Sequence, residues 1–75
     1  MSSKDLVEIP CHFVTYTDKA ILINDGDQEV WIPQSQINDV TYDRDDAEEW
    51  EDLEPGDSLT IEIPEWLAEK NGLGA

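Results

Sequence analysis

Two stretches of the chain alternate between apolar and polar residues, and this period of two predicts β-strands. The first stretch begins at Leu6, and its apolar positions are Val7, Ile9, Cys11 and Phe13. The second covers residues 58–63, and its apolar positions are Leu59, Ile61 and Ile63. Because successive side chains of a strand point to opposite faces, each stretch is expected to turn one face to a core and the other to solvent.

The first of these strands carries two predicted irregularities. Pro10 has no backbone N–H to donate, so the strand is expected to lie at an edge there or to carry a bulge. In an unbroken alternation Val14 and Tyr16 would face the opposite side of the strand from Phe13, which also indicates a bulge or a twist near Phe13. Residues 1–5 form a polar terminus that is expected to fray.

A hairpin is predicted next, after a tight connection at residues 17–19. The continuous apolar run of residues 20–23 is too short for a helix and favours a strand buried on both faces. Asn24-Asp25-Gly26-Asp27 follows, and residues of these types accept the positive φ angles that a tight hairpin needs. The run is therefore expected to pair antiparallel with residues 29–32, and Pro33 then ends the pairing.

The C-terminal part of the chain is predicted to form a turn, the second alternating strand and a helix. Glu54-Pro55-Gly56-Asp57 has the proline and glycine positions of a type II turn. Pro64 is expected to be the first residue of a helix that runs to Lys70, with Gly72 in the left-handed capping position and Leu73 packed back on the last turn. The fold class is thus mostly β with a short C-terminal α-helix: a small antiparallel sheet or partly open barrel of four or five strands in one domain, residues 1–75.

The stretch from Asp39 to Asp57 departs from this pattern, because its nineteen residues carry ten carboxylates against one cation, Arg44. It is interpreted as an acidic insertion that the sheet holds up to solvent. Two conformations remain open for it. In one, Asp45 caps a short helix and Glu48 completes the capping box, so that residues 50 and 53 share one face. In the other, the stretch is an extended loop that Trp50 anchors and that repulsion between carboxylates keeps open.

Charge limits the functions that the chain can have. Its formal net charge is −15, which opposes direct binding to nucleic acid or to an anionic membrane, since both require a positive surface. A basic partner is the expected complement. A hydrophobic content of 39% with clear alternation argues against a disordered acidic tail. The first ten residues lack the apolar run of a signal peptide, so a cytoplasmic protein is expected.

The residue types for catalysis or metal binding are sparse. Cys11 and His12 are adjacent on a strand and point to opposite faces, so Cys11 is expected in the core and His12 at the surface. A calcium loop that starts at Asp43 has Glu48 at its sixth position, where the turn demands glycine. We therefore expect no enzyme activity, no metal site and no cofactor.

The three tryptophans are large potential contributors to stability. Trp31 and Trp66 occupy strand and helix positions that suit the core. Trp50 is surrounded by acids, and two roles are open for it: an anchor of the acidic stretch on the sheet, or an exposed interface residue.

The chain resembles a group of small phage and prophage proteins that share a WIPxSQI element and a C-terminal IPEWLAEKxGL element. These elements are residues 31–37 and 63–73 here, and the resemblance covers about residues 19–73 apart from the acidic middle. It implies a viral origin and assigns no activity and no functional residues. Many small, strongly acidic phage proteins inhibit host defence, among them anti-CRISPR proteins and DNA mimics, so inhibition is expected by analogy of size and charge.

Two functions are consistent with these features. In the first, an acidic surface imitates a nucleic-acid backbone and binds a basic, nucleic-acid-binding host protein. In the second, a phage structural or replication accessory protein docks through an apolar sheet face, and its acids only keep it soluble. The residues expected to bind the partner in the first case are Asp43, Asp45, Asp46, Glu48, Glu49, Trp50, Glu51, Asp52 and Glu54.

Overall fold

Five antiparallel strands form one open sheet in the computed structural model, which describes residues 5–73. The elements are β1 (Leu6–Tyr16), β2 (Ala20–Asn24), β3 (Glu29–Pro33), β4 (Asp39–Tyr42), β5 (Ser58–Pro64) and the helix α1 (Glu65–Lys70). Their order across the sheet is β3-β2-β1-β5-β4. The predicted fold class is confirmed. Residues 1–4, expected to fray, and residues 74–75 lie outside the described range.

The long strand β1 is the centre of the sheet because it pairs with β2 on one side and with β5 on the other. Its register against β2 shifts just after Phe13, which confirms the predicted bulge. Pro10 lies opposite Thr60 of β5, whereas the pairing with β2 extends only from His12 onward. Proline is tolerated there because this half of β1 has a strand on one side only.

The core lies on one face of this sheet. Seven large aliphatic side chains are less than 2% exposed, and each such burial stabilises the fold by about 1.5–3 kcal/mol. They are Ile9, Ile21, Ile23, Ile32, Leu59, Ile61 and Ile63. In β2, Leu22 points away from this face and is only half-buried, so the expectation of a strand buried on both faces is wrong. In an open sheet that is covered on one side only, burial alternates along a strand even where every residue is apolar.

Two of the three tryptophans lie outside the core, contrary to expectation. Trp31 is 49% exposed and Trp66 is 53% exposed. Trp31 stands between Val30 and Ile32, which both turn inward, so the alternation of β3 directs the indole to the opposite face. In α1 the inward positions are held by Leu67 and Ala68. The size and aromatic character of these residues wrongly predicted burial. The position of each residue in the strand or helix pattern decides which face it occupies.

The predicted turns are present. In the hairpin between β2 and β3, the N–H of Gly26 donates to Oδ1 of Asn24 at 2.7 Å, an Asx turn. In the turn before β5, Gly56 has a φ of 99°, and the N–H of Asp57 donates to the carbonyl of Glu54 at 3.0 Å. Only glycine adopts that φ without strain, which confirms the type II turn.

The helix α1 begins one residue later than predicted, because Pro64 is its N-cap and the last residue of β5. At its end, the N–H of Leu73 donates to the carbonyl of Ala68 at 2.8 Å, and Leu73 is buried. This is the capping arrangement predicted for Gly72, whose φ is 71°. Within residues 5–73, no helix has the length and apolar character needed to cross a membrane.

Candidate functional site: the acidic loop

The first four residues of the acidic stretch belong to the sheet. Residues 39–42 form β4, which pairs with β5 so that Asp39 lies opposite Glu62 and Tyr42 lies opposite Leu59. The interpretation of residues 39–57 as one insertion is therefore corrected. The part that leaves the sheet is residues 43–57, called the acidic loop below. It connects the end of β4 to the start of β5.

Three side chains spaced three residues apart attach the acidic loop to the core. Ala47 and Leu53 are buried, and Trp50 between them is half-buried against the core. The ring of Trp50 meets the ring of Tyr42 edge to face, with centroids 5.8 Å apart and an interplanar angle of 73°. Such aromatic pairs add about 0.5–1.5 kcal/mol beyond the area that they bury. Of the two roles left open for Trp50, the structure places it as an anchor.

Of the two conformations considered from sequence, the loop is closer to the second, an extended loop that Trp50 anchors. It contains one turn of 3-10 helix, Trp50–Asp52, between extended residues. The carboxylate of Asp52 accepts the N–H of Glu48 at 2.8 Å and the N–H of Glu49 at 3.2 Å. The capping box therefore involves Glu49 and Asp52, and a helix capped by Asp45 is wrong. A longer helix would stack several carboxylates at repelling distances.

Arg44, the second residue of the loop, holds several parts of the loop together. Its Nε donates to Oδ1 of Asp46 at 3.1 Å, and its Nη1 donates to Oδ2 of Asp57 at 2.9 Å. The same Nη1 donates to the backbone carbonyl of Asp52 at 3.0 Å. Arg44 thus ties the beginning of the loop to its end, because the guanidinium offers several donors in a fixed plane. This role was missed from sequence, where Arg44 counted only as the single cation of the stretch.

The charges around Arg44 shift each other's titration. The hydrogen bond from Arg44 lowers the pKa of Asp46, and the N–H of Glu54 together with Arg44 lowers the pKa of Asp57. A lowered pKa in the folded state means that the contribution of these carboxylates is complete above their ordinary pKa of 3.8. It is lost as the pH falls through the lowered values. The two carboxylate contacts of Arg44 are therefore intact at neutral pH and weaken only below the ordinary carboxyl pKa of 3.8.

All eight carboxylates predicted to bind a partner are exposed. Two of them, Asp46 and Asp52, already accept hydrogen bonds inside the loop. Burial and the negative charges of Glu49 and Asp52 raise the pKa of Tyr42, which places both charges near that ring. Five of the remaining carboxylates accept no hydrogen bond from another described residue: Asp43, Asp45, Glu48, Glu51 and Glu54. The loop thus brings the predicted residues to one surface element and directs most of them to solvent.

Cys11 and His12 occupy the positions predicted for them. Cys11 is buried and His12 is exposed, on opposite faces of β1. Burial, with a smaller contribution from the charge of Asp25, raises the pKa of the Cys11 thiol to about 12. A thiol of that pKa is a poor nucleophile at neutral pH. In the described part of the chain, His, Cys, Asp and Glu side chains form no group of three or more that could hold a metal ion.

Replacing Arg44 tests whether it organises the loop. We expect Arg44→Gln to speed hydrogen exchange of the Glu48, Glu49 and Glu54 amides by about tenfold, because the carboxylates around it then repel one another. Amides of β1 and β5 are expected to keep their protection. The measurement is amide exchange followed by NMR, with Lys70→Gln as a control that removes the same charge from α1. Equal loop exchange in the two variants would contradict the role of Arg44.

Comparisons of this chain with known protein families, with curated proteins and with solved structures find no match. The acidic loop is thus characterised by its own charge, exposure and contacts.

Proposed function

We propose that this chain is a non-enzymatic, phage-derived protein that binds a basic, nucleic-acid-binding host protein in the host cytoplasm. It competes there with the DNA or RNA of that protein, as a nucleic-acid mimic or a defence inhibitor of the anti-CRISPR kind. The acidic loop is the binding surface. Its exposed carboxylates take the place of phosphates in a groove lined with Lys and Arg.

The observation that carries this proposal is the attachment of the loop at Ala47, Trp50 and Leu53. Only these three loop residues pack on the core, so the residues between them have no apolar role and can carry charge at no cost in burial. The loop holds nine carboxylates and one arginine within residues 43–57. Anchored backbone keeps these charges from spreading apart, and binding then costs less ordering entropy than it would for a disordered tail.

The charge of the whole chain supports the same function. A net charge of −15 on 75 residues attracts a basic partner over a long range and speeds association at low salt. The free energy that self-repulsion costs the fold is offset by the apolar core. DNA presents one charge per about 1.7 Å of duplex axis, and mimicry requires the carboxylates of the loop to offer a comparable charge density on one face.

A second candidate function is favoured by a different observation. Leu6, Tyr16, Trp31 and Trp66 are large apolar side chains that remain 37–53% exposed. A phage structural or replication accessory protein docks through such side chains, and its acids only keep it soluble. Binding of that kind is nearly independent of salt, which separates it from mimicry.

The test begins with capture of a partner from a bacterial host lysate on the immobilised chain at about 50 mM salt. The purified partner is then bound to a fluorescent oligonucleotide and titrated with the chain. We expect the chain to displace the oligonucleotide, and its affinity to fall at least tenfold between about 50 and 200 mM salt. A ternary complex of chain, partner and oligonucleotide, or an affinity indifferent to salt, would contradict the proposal.

A further inference from the structure

The strand β3 forms one free edge of the sheet. It is the first strand in the order β3-β2-β1-β5-β4, and among residues 5–73 no strand pairs with its outer side. The opposite edge, β4, is shorter, and the N–H of Val40 in it already donates to Oδ1 of Asp39 at 2.8 Å. An unpaired strand edge is a template for another strand. β3 is therefore the edge to which a further strand can be added.

The direction of the backbone groups of β3 follows from its hydrogen bonds with β2. Just after β3, the N–H of Gln34 donates to the carbonyl of Lys19 at 2.8 Å. Hydrogen-bonded pairs of an antiparallel ladder recur at every second residue, so Ile32 and Val30 are the residues of β3 that bond to β2. The other residues of β3 direct their backbone groups away from β2. They are Glu29, Trp31 and Pro33, of which Pro33 has a carbonyl but no N–H.

A second copy of β3 matches these outward groups when it runs antiparallel and the two Trp31 residues lie opposite each other. The N–H of each Trp31 then meets the carbonyl of the other, and the N–H of Glu29 meets the carbonyl of Pro33. The mismatch lies at each end of the pairing, where the carbonyl of Glu29 faces the proline nitrogen and stays in contact with water. In every other register, part of β3 extends beyond the end of its partner. This register therefore pairs the strand completely.

The charges at this edge are compatible with a second copy. β2 and β3 together contain one charged residue, Glu29. In the matched register the two Glu29 residues are about 13 Å apart along the strands, which exceeds the screening length of about 8 Å in physiological salt. Two chains of net charge −15 thus meet here with little repulsion at the contact itself. The edge also lacks the density of carboxylates that would select a strongly basic strand.

Trp31 provides the apolar part of the contact. It is 49% exposed on the outer face of the sheet, directly opposite the half-buried Leu22 of β2. In the matched register the two Trp31 side chains lie on the same face, with Cα atoms about 5.5 Å apart. The indoles therefore cover one another across the twofold axis, and such cross-strand aromatic pairs stabilise a sheet. Edges that avoid pairing carry a charge at this central position, and β3 carries a tryptophan.

We propose that two copies of this chain pair through β3 and form one continuous sheet. A single strand pair is small beside the roughly 800 Å² per partner of a stable interface, so the dimer forms at high concentration and dissociates on dilution. Each acidic loop lies between β4 and β5, at the far side of the sheet from the junction, so the dimer presents two loops. The inference goes beyond the proposed function and does not rest on it.

Sedimentation equilibrium of the full chain tests for the dimer. At about 1 mM chain and about 500 mM salt we expect an average mass at least about one and a half times that of the monomer. At about 50 mM salt the dimer fraction is expected to be smaller, because salt screens the repulsion between two acidic chains. This salt dependence is opposite in sign to that of partner binding by the acidic loop, so the two proposals fail separately. A monomer at about 1 mM in both salts overturns the inference.

Two matched variants locate the contact. Trp31→Lys places two cations opposite each other at the twofold axis, and we expect it to abolish the dimer. Trp66→Lys makes the same change of charge at a tryptophan of similar exposure, 53%, on α1. Its dimer fraction is expected to stay within about twofold of the original. Equal dimer fractions in the two variants would overturn pairing through β3.

Amide hydrogen exchange separates strand pairing from contact of the two indoles alone. We expect the N–H of Trp31 to exchange at least about threefold more slowly at about 1 mM than at about 50 µM. The N–H of Ile32, which already bonds to β2, is expected to change little. Exchange of the Trp31 amide that is independent of concentration overturns the inference. So does protection of that amide only in the complex with the captured partner, which would assign the edge to a strand of that partner.

Discussion

Replacement of Ile61 by alanine is expected to leave most of the protein unfolded at room temperature in mild urea. Ile61 is fully buried, and it lies opposite Ile9 of β1 and opposite Val40 of β4. Removing so enclosed a side chain costs about 4 kcal/mol, from lost burial and from the cavity that remains. A chain of this size has a total stability of only about 4–11 kcal/mol.

The matched control is Trp31→Ala, which removes a much larger side chain. Because Trp31 is half exposed, we expect its loss to cost about 1 kcal/mol or less. Both variants are measured by urea denaturation followed by circular dichroism, since tryptophan fluorescence changes with the substitution itself. A Trp31→Ala variant that is less stable than Ile61→Ala would place the core on the wrong face of the sheet.

The fold could be predicted from sequence wherever the determining signal is local. Alternation identified β1 and β5, and the residues of the turns at Gly26 and Gly56 located the connections. β4 was missed because its four residues carry little apolar signal, and its strand conformation depends on pairing with β5. Pairing with a partner seventeen or more residues away is a tertiary effect that no local pattern contains.

Reversal of three charges in the acidic loop is the second large effect that we expect. Glu48→Lys, Glu51→Lys and Glu54→Lys together should weaken partner binding at least a hundredfold. Each substitution replaces an attraction to a basic groove with a repulsion, and charge pairs at close interfaces are each worth about 1.5 kcal/mol or more. Asp46, Asp52 and Asp57 are left in place, because their hydrogen bonds hold the loop together.

The exposure of these acids could be predicted from sequence, and the conformation that presents them could not. Ala47 gave no sign of being an anchor, because a single small residue among acids carries little apolar signal. The contacts of Arg44 with Asp46 and Asp57 join residues up to thirteen positions apart. Only the three-residue spacing of Trp50 and Leu53 predicted that these side chains share a buried face. That spacing was equally consistent with the helix that the structure does not contain.

The most direct test of the central claim compares two variants of equal net charge. One carries Glu48→Lys, Glu51→Lys and Glu54→Lys in the acidic loop. The other carries Asp18→Lys, Asp27→Lys and Glu69→Lys at exposed positions elsewhere, and in both the net charge rises from −15 to −9. The affinity of each for the captured partner is measured at low salt, after circular dichroism has established that both are folded. We expect the loop variant to lose binding at least a hundredfold and the other to stay within about tenfold of the original. Equal losses in the two variants would mean that net charge alone attracts the partner, and would contradict a binding surface formed by the acidic loop.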